Sequence, residues 1–217
     1  MNGEGVPTAH APVEVPNGPY ARGVKRVVDF VVAAVALIFW LVPLSAAALL
    51  IKLDSAGPVF FAQDRVGRHG RIFQLLKLRT MAHGTKKPFT EVVGRAVDVT
   101  RVGWILRRLK IDELPQLLSI VRGDMSLVGP RPTVPKVVAT FTPHERQRLL
   151  VRPGLTGLAQ VNGNIHLTWP ERCLWDLEYI RRMSFALDVQ IIARTVLVLI
   201  LGEERFRRVW PSGGSER

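Results

Sequence analysis

Asp112 and Glu113 are adjacent acids that close a basic stretch, WILRRLKIDEL. A carboxylate there can attack a phosphoryl group, giving an aspartyl-phosphate that splits a hard transfer into two steps. It can also hold a hard divalent cation such as Mg²⁺ against diphosphate oxygens. Pro115 limits how far back the next helix can extend, which puts both acids at its N-terminus. Acids at a helix start also stabilise the dipole and cap free N–H groups without doing any chemistry. Residue type and spacing leave these readings open.

Phosphate chemistry needs cations nearby. Arg107 lies five residues before Asp112, and Lys77 and Arg79 sit in KLRTM. Arg131 stands between two prolines in GPRP, where a stiff backbone would aim its guanidinium, whose planar fork matches phosphate oxygens. Taken singly, each is also an ordinary surface charge. The prolines and glycines around Arg131 and Arg152 suggest loops of defined shape. Asp124 after Gly123 reads as a turn acid, and Cys173 as a small apolar filler. Trp169, Trp175 and Tyr179 suit the core or a membrane interface. The five histidines (His10, His69, His83, His144, His166) show no zinc-ligand spacing.

The elements that must position these residues follow from composition. The 217 residues carry a net charge of +12, yet 47% are hydrophobic. So basic a chain has anionic partners, and so apolar a one favours membranes and phosphorylated substrates over nucleic acid. Phe30 to Ile51 is an uncharged run of 22 residues. As a helix it would be about 33 Å long, enough to cross a bilayer core. Pro43 lies inside it, and basic residues flank both ends: Arg22, Lys25 and Arg26 before, Lys52, Arg65 and Arg68 after. A spanning helix with a tolerated proline and a re-entrant hairpin bent at Pro43, with both ends cytoplasmic, are equally compatible with this pattern.

Residues 1–20 read as a disordered tail and 202–217 as a basic tail, with Trp210 suited to a headgroup zone. The membrane helix would occupy 22–54 and a catalytic domain 55–201. PVFFAQ and RIFQLLKLRTM are strand-like around the turn GRHGR. Val97 to Leu109 reads as an amphipathic helix, with Val102, Ile105, Leu106 and Leu109 on one face. A shorter helix runs from near Glu113 to Val121. GDMSLVGPRP and VRPGLTGLAQVNGN read as loops. FALDVQIIARTVLVLILG, interrupted by Asp188, Gln190 and Arg194, reads as an interfacial helix. The expected fold class is α-rich α+β, a re-entrant membrane helix hairpin plus a small cytosolic catalytic domain with interfacial amphipathic helices.

Three long blocks in order, GPVFFAQDRVGRHGRIFQLLKLRTM, KIDELPQLLSIVRGDMSLVGPRP and VRPGLTGLAQVNG, closely resemble the bacterial sugar transferases. These are the monotopic polyprenyl-phosphate phosphoglycosyl transferases, and the likeness, to their small form, spans about Arg22 to Leu201. It implies transfer of sugar-1-phosphate from a UDP-sugar to polyprenyl (undecaprenyl) phosphate, giving UMP, at the start of glycan assembly. It implies Asp112 as nucleophile and metal ligand, Glu113 as supporting acid, and Mg²⁺ as cofactor. Lys77, Arg107 and Arg131 fall on the family's phosphate-binding positions, and Pro43 on its re-entrant helix break. Family members often carry Ser directly before that proline; here it is Val42, with Ser45 downstream. The implied place is the bacterial inner membrane, catalytic domain on the cytoplasmic face. The implied partners are UDP-sugar, polyprenyl phosphate and membrane lipids, without nucleic acid; a homodimer is compatible. Sugar selectivity would fall to loops such as Asn162 to Trp169. A one-step ternary-complex transferase, a membrane scaffold and a nucleic-acid binder are the rival readings.

Overall fold

The structure is a computed structural model that describes residues 12–82, 98–206 and 208. A π-helical turn at Tyr20–Val24 leads into α1, Lys25–Asp54. Strands β1 (Phe60–Val66) and β2 (Ile72–Leu78) follow, then α2 (Arg101–Arg108) and a 3₁₀ segment, Ile111–Gln116. Next come α3 (Leu117–Arg122), β3 (Ser126–Val128), α4 (Pro135–Val138), α5 (Pro143–Arg146), β4 (Gly154–Thr156) and α6 (Leu158–Val161). Helices α7 (Trp169–Arg182) and α8 (Phe185–Leu201) complete the domain. The expectations for residues 1–11, the helix start at Val97 and Trp210 lie outside the described residues.

Apolar residues surround α1 on every side, so no single face can bury it. Ile38, Phe39, Leu41 and Val42 are between 64% and 76% exposed. Each would cost roughly 1.5–3 kcal/mol to leave in water, and a bilayer removes that cost. The helix is long and apolar enough to cross a membrane. It runs through Pro43 as one helix. Pro43 deprives Phe39 O of its i+4 donor. Ser45 Oγ donates to Leu41 O at 2.9 Å, and so does not replace that bond.

Both ends of α1 are fastened to one domain. At the start, Arg26 donates to Ile120 O and to Val121 O, and Asp29 accepts from Ser126 Oγ at 2.7 Å and Leu127 N at 3.2 Å. Ala33 packs among Phe73, Leu75, Leu117, Ile120 and Met125. At the far end, Ala47 and Ile51 pack on Leu78 and Leu106, while Asp54 accepts from Val102 N at 3.2 Å.

Strands β1 and β2 form the expected antiparallel hairpin, with Phe61 opposite Lys77. The face of α2 differs from expectation. Gly103 and Leu106 are buried, but Ile105 and Leu109 are 51% and 60% exposed. The cause is Gly103, which lies so close to the Thr80 backbone that a Cβ would stand 2.1 Å from Thr80 O. The two glycine-rich stretches read as loops contain β3 and β4, paired in parallel with Ser126 opposite Gly154 and Val128 opposite Thr156. Gly154 permits this approach, since a Cβ there would meet Gly129 N at 2.1 Å.

The largest core joins Val128, Val151, Val161, Leu177, Ile180 and Ile191, and includes Val13. Val13 falls in the stretch read from sequence as a structureless tail, yet it is buried and its N–H donates to Gln147 Oε1. Beside this core lies a charged network. Asp188 Oδ2 accepts from Tyr20 OH at 2.5 Å and from Lys25 Nζ, and Tyr179 OH donates to Asp188 Oδ1 at 2.8 Å. Asp188 thus ties α8 and α7 to the start of α1. All three aromatics that sequence left between core and interface pack inward: Tyr179 is buried, and Trp175 and Trp169 are partly buried against core clusters.

Candidate active site

The end of β2 is unusual for its polarity: Lys77, Arg79 and Thr80 are all buried. Lys77 Nζ donates to Glu113 Oε1 at 2.7 Å, and Arg131 Nη2 reaches the same oxygen at 3.2 Å. Burial alone would raise the Glu113 pKa, but Arg131 and Lys77 outweigh it and hold the carboxyl well below the usual range. Asp112 is in the opposite condition. Burial, then the neighbouring Glu113 charge, push its pKa up to about 6, with Lys77, Lys110 and Arg107 pulling part of the way back. Its Oδ1 is buried with no hydrogen-bond partner among the described residues. Adjacent carboxylates driven apart in pKa are a recurrent sign of divided roles.

Local backbone chemistry sets this geometry. Lys110 adopts a left-handed conformation, φ 56°, which ends α2 sharply and throws the chain into the 3₁₀ segment. Pro115 lies within that segment. Lacking an N–H, it fits the tighter turn, so the helix expected from Glu113 to Val121 divides into a 3₁₀ start and α3 proper. The acids occupy the first turn, as the position of Pro115 predicts.

Of the cations singled out from sequence, Lys77, Arg107 and Arg131 gather around the acids. Arg107 Nε donates to Thr80 Oγ1 at 2.8 Å. Arg79 does not join them. It donates to Ala56 O at 2.7 Å, Ser55 O at 2.7 Å and Ser55 Oγ at 2.9 Å, beyond the last turn of α1. Its guanidinium is thus turned to the segment leaving α1, whereas Lys77 and Arg131 meet Glu113. Arg152 caps α3, its Nε donating to Gly123 O at 2.8 Å. Asp124 is an exposed turn residue. The Cys173 thiol, pushed up to about 12 by burial, stays protonated as a filler. Pro43 is exposed in the middle of α1.

The sequence profile described as bacterial sugar transferase matches residues 20–202. The chain belongs to the bacterial sugar transferase family. It is 43% identical over 205 residues to the UDP-glucose:undecaprenyl-phosphate glucose-1-phosphate transferase of Caulobacter vibrioides, covering 88% of this chain and 76% of that one. It is 37% identical over 191 residues to the UDP-N-acetylgalactosamine-undecaprenyl-phosphate N-acetylgalactosaminephosphotransferase of Aeromonas hydrophila, covering 85% of this chain and 45% of that one. It is also 34% identical over 199 residues to the exopolysaccharide production protein ExoY of Rhizobium meliloti, covering 84% and 88%.

Two features of this sugar transferase's site escaped the sequence reading. Thr80 receives Arg107, and its place directly after KLR was the available signal. Arg148 forms a buried pair with Asp176 at 2.6 Å and lies over Trp169, 4.8 Å from the ring centre. Its Nη2 is 3.4 Å from Arg131 O, so the pair supports the GPRP backbone from below. Nothing local in the sequence marks two residues so far apart as partners. Asn162, named as a candidate for sugar selectivity, is buried and accepts from Arg194 Nη2 at 3.0 Å, a structural contact.

Proposed function

We propose that this sugar transferase moves a sugar-1-phosphate from a UDP-sugar to a polyprenyl phosphate through a covalent intermediate on Asp112. The observation that carries the reading is the opposed state of the two acids. Glu113 is saturated by Lys77 and Arg131, while Asp112 keeps a buried, unpartnered oxygen beside three cations. The names of the relatives supply the substrate class.

In the first step an Asp112 carboxylate oxygen bonds the β-phosphorus of the UDP-sugar. The bond from that phosphorus to the bridging oxygen breaks, and UMP leaves with the electron pair. In the second step a terminal oxygen of the polyprenyl phosphate attacks the same phosphorus and the Asp112 carboxylate is restored. Lys77, Arg107 and Arg131 offset the phosphate charge. Among the described residues no three acids or histidines gather as a metal cage. Mg²⁺ needs none, because one carboxylate with diphosphate oxygens and water fills its shell, and the unpartnered Asp112 Oδ1 fits that part. When bound, the ion would neutralise diphosphate charge during transfer.

Helix α1 re-enters the bilayer in this reading, with the domain on the cytoplasmic face. Supporting it are the attachment of both helix ends to one domain and the exposed apolar residues around Pro43. The flanking basic residues suit the cytoplasmic side.

The deciding experiment supplies purified protein in bilayer nanodiscs with UDP-sugars and Mg²⁺ but no lipid acceptor. The reading expects a burst of UMP close to one per enzyme, and none from Asp112→Asn. UMP appearing only when both substrates are present would sink the covalent route in favour of a ternary complex.

A further inference from the structure

Arg79 joins the membrane helix to the catalytic acids. Its guanidinium accounts for three bonds of 2.7–2.9 Å to Ser55 and Ala56, and a longer one of 3.4 Å to Ile51 O in the last turn of α1. Its backbone N–H donates to Val59 O at 2.8 Å, which fixes the segment leaving the helix. Leu78, the residue before it, packs on Ala47 and Ile51 of the same helix. One residue further back, Lys77 donates to Glu113 at 2.7 Å. One residue ahead, Thr80 O accepts from Thr100 N at 3.1 Å and Thr80 Oγ1 accepts from Arg107 Nε. Four consecutive residues therefore touch the end of α1, the start and end of α2 and the acid pair. A charged side chain as buried as Arg79 depends on the acceptors that its Nη1 and Nη2 reach at the end of α1, so those bonds and the seating of α1 stand or fall together.

We propose that Arg79 is a positioning residue that makes the geometry of Glu113, and through it Asp112, depend on the seating of α1 in the bilayer. The inference deepens the transferase reading and rests on it for its kinetic part alone. Displacing the C-terminus of α1 would strip Arg79 of its acceptors, shift the strand end and loosen Lys77 from Glu113.

The test uses the full chain in nanodiscs and compares wild type with Arg79→Gln, Arg79→Lys and the milder Ser55→Ala. Peptide-level hydrogen exchange is the readout that needs no activity. Exchange should rise in Arg79→Gln both at residues 51–56 and at residues 111–116, with Arg79→Lys and Ser55→Ala smaller in the same direction. In steady state, kcat should fall ~10-fold or more while KM for the UDP-sugar stays within ~2-fold, as expected of a residue that acts through Lys77 and Glu113 rather than on the substrate. Faster exchange confined to 51–56 would overturn the coupling. So would a KM increase at unchanged kcat, the mark of a phosphate ligand. If Arg79→Gln does not fold, Arg79→Lys and Ser55→Ala decide by the same criteria. A wild type that releases no UMP while both segments still loosen together would refute the transferase reading and leave the coupling standing.

Discussion

Lys77 Nζ lies 2.7 Å from Glu113 Oε1, and that contact decides which of two neighbouring acids is free. Both side chains are largely buried, 10% and 15% exposed. Breaking a buried ion pair by removing one charge typically costs 3–5 kcal/mol. Glu113→Gln should therefore lower stability by about 2–4 kcal/mol, given the remaining exposure and the second cation, Arg131. The depressed Glu113 pKa means this stabilisation is present above the unfolded carboxylate range and is lost as pH falls through the folded value. Melting temperatures of wild type and Glu113→Gln, compared at neutral and strongly acid pH, should converge as acid increases.

Asp112 should behave in the opposite sense. Its pKa is raised to about 6, so the folded state holds a proton more tightly than the unfolded chain, and stability falls as pH rises towards 6 and through it. Asp112→Asn should be more stable than wild type at pH 8, by up to about 2 kcal/mol, and close to it at pH 4. The same variant should release no UMP. In wild type the transfer rate should climb as Asp112 ionises across about pH 6, shifted lower when Mg²⁺ is bound. An Asn variant that is both active and less stable at pH 8 would contradict this account of the site.

Gly103 has no room for a side chain, since a Cβ would stand 2.1 Å from Thr80 O. Gly103→Ala should push α2 away from the strand end that carries Lys77 and destabilise by about 1–3 kcal/mol. Thermal unfolding followed by intrinsic tryptophan fluorescence would register it. An unchanged midpoint would mean that α2 is not seated as described.

The membrane arrangement is testable by position. Arg22→Cys and Lys52→Cys place exposed thiols at the two ends of α1, and the buried Cys173 stays unreactive. Both new thiols should react with a membrane-impermeant maleimide only from the cytoplasmic side. Labelling from opposite sides would establish a spanning helix.

The β1–β2 hairpin was legible because its signals are local: two strand-like runs flank GRHGR. The acids were legible for the same reason, through Pro115. What escaped depends on long-range approach. β3 and β4 pair only because Gly129 and Gly154 come together across 25 residues of sequence, a contact that no period reveals. Ile105 and Leu109 fit an apolar helical face, but Gly103 overrides periodicity by docking on Thr80. Lys77 and Arg79 are chemically alike and two residues apart. Only the fold shows that one meets Glu113 and the other the end of α1.

The bond between Lys25 and Asp188 joins residues 163 positions apart. During synthesis at about 5–20 residues per second, roughly 8–30 seconds separate Lys25 from Asp188, so this contact becomes available only after the partners of Arg26 and Asp29 at residues 120–127 have been made. Throughout that interval the acid paired with Lys25 is Asp29, four residues on in the same helix. The order of the chain therefore divides the fastening of α1 into two stages, with residues 120–127 available first and the last long helix arriving to complete it.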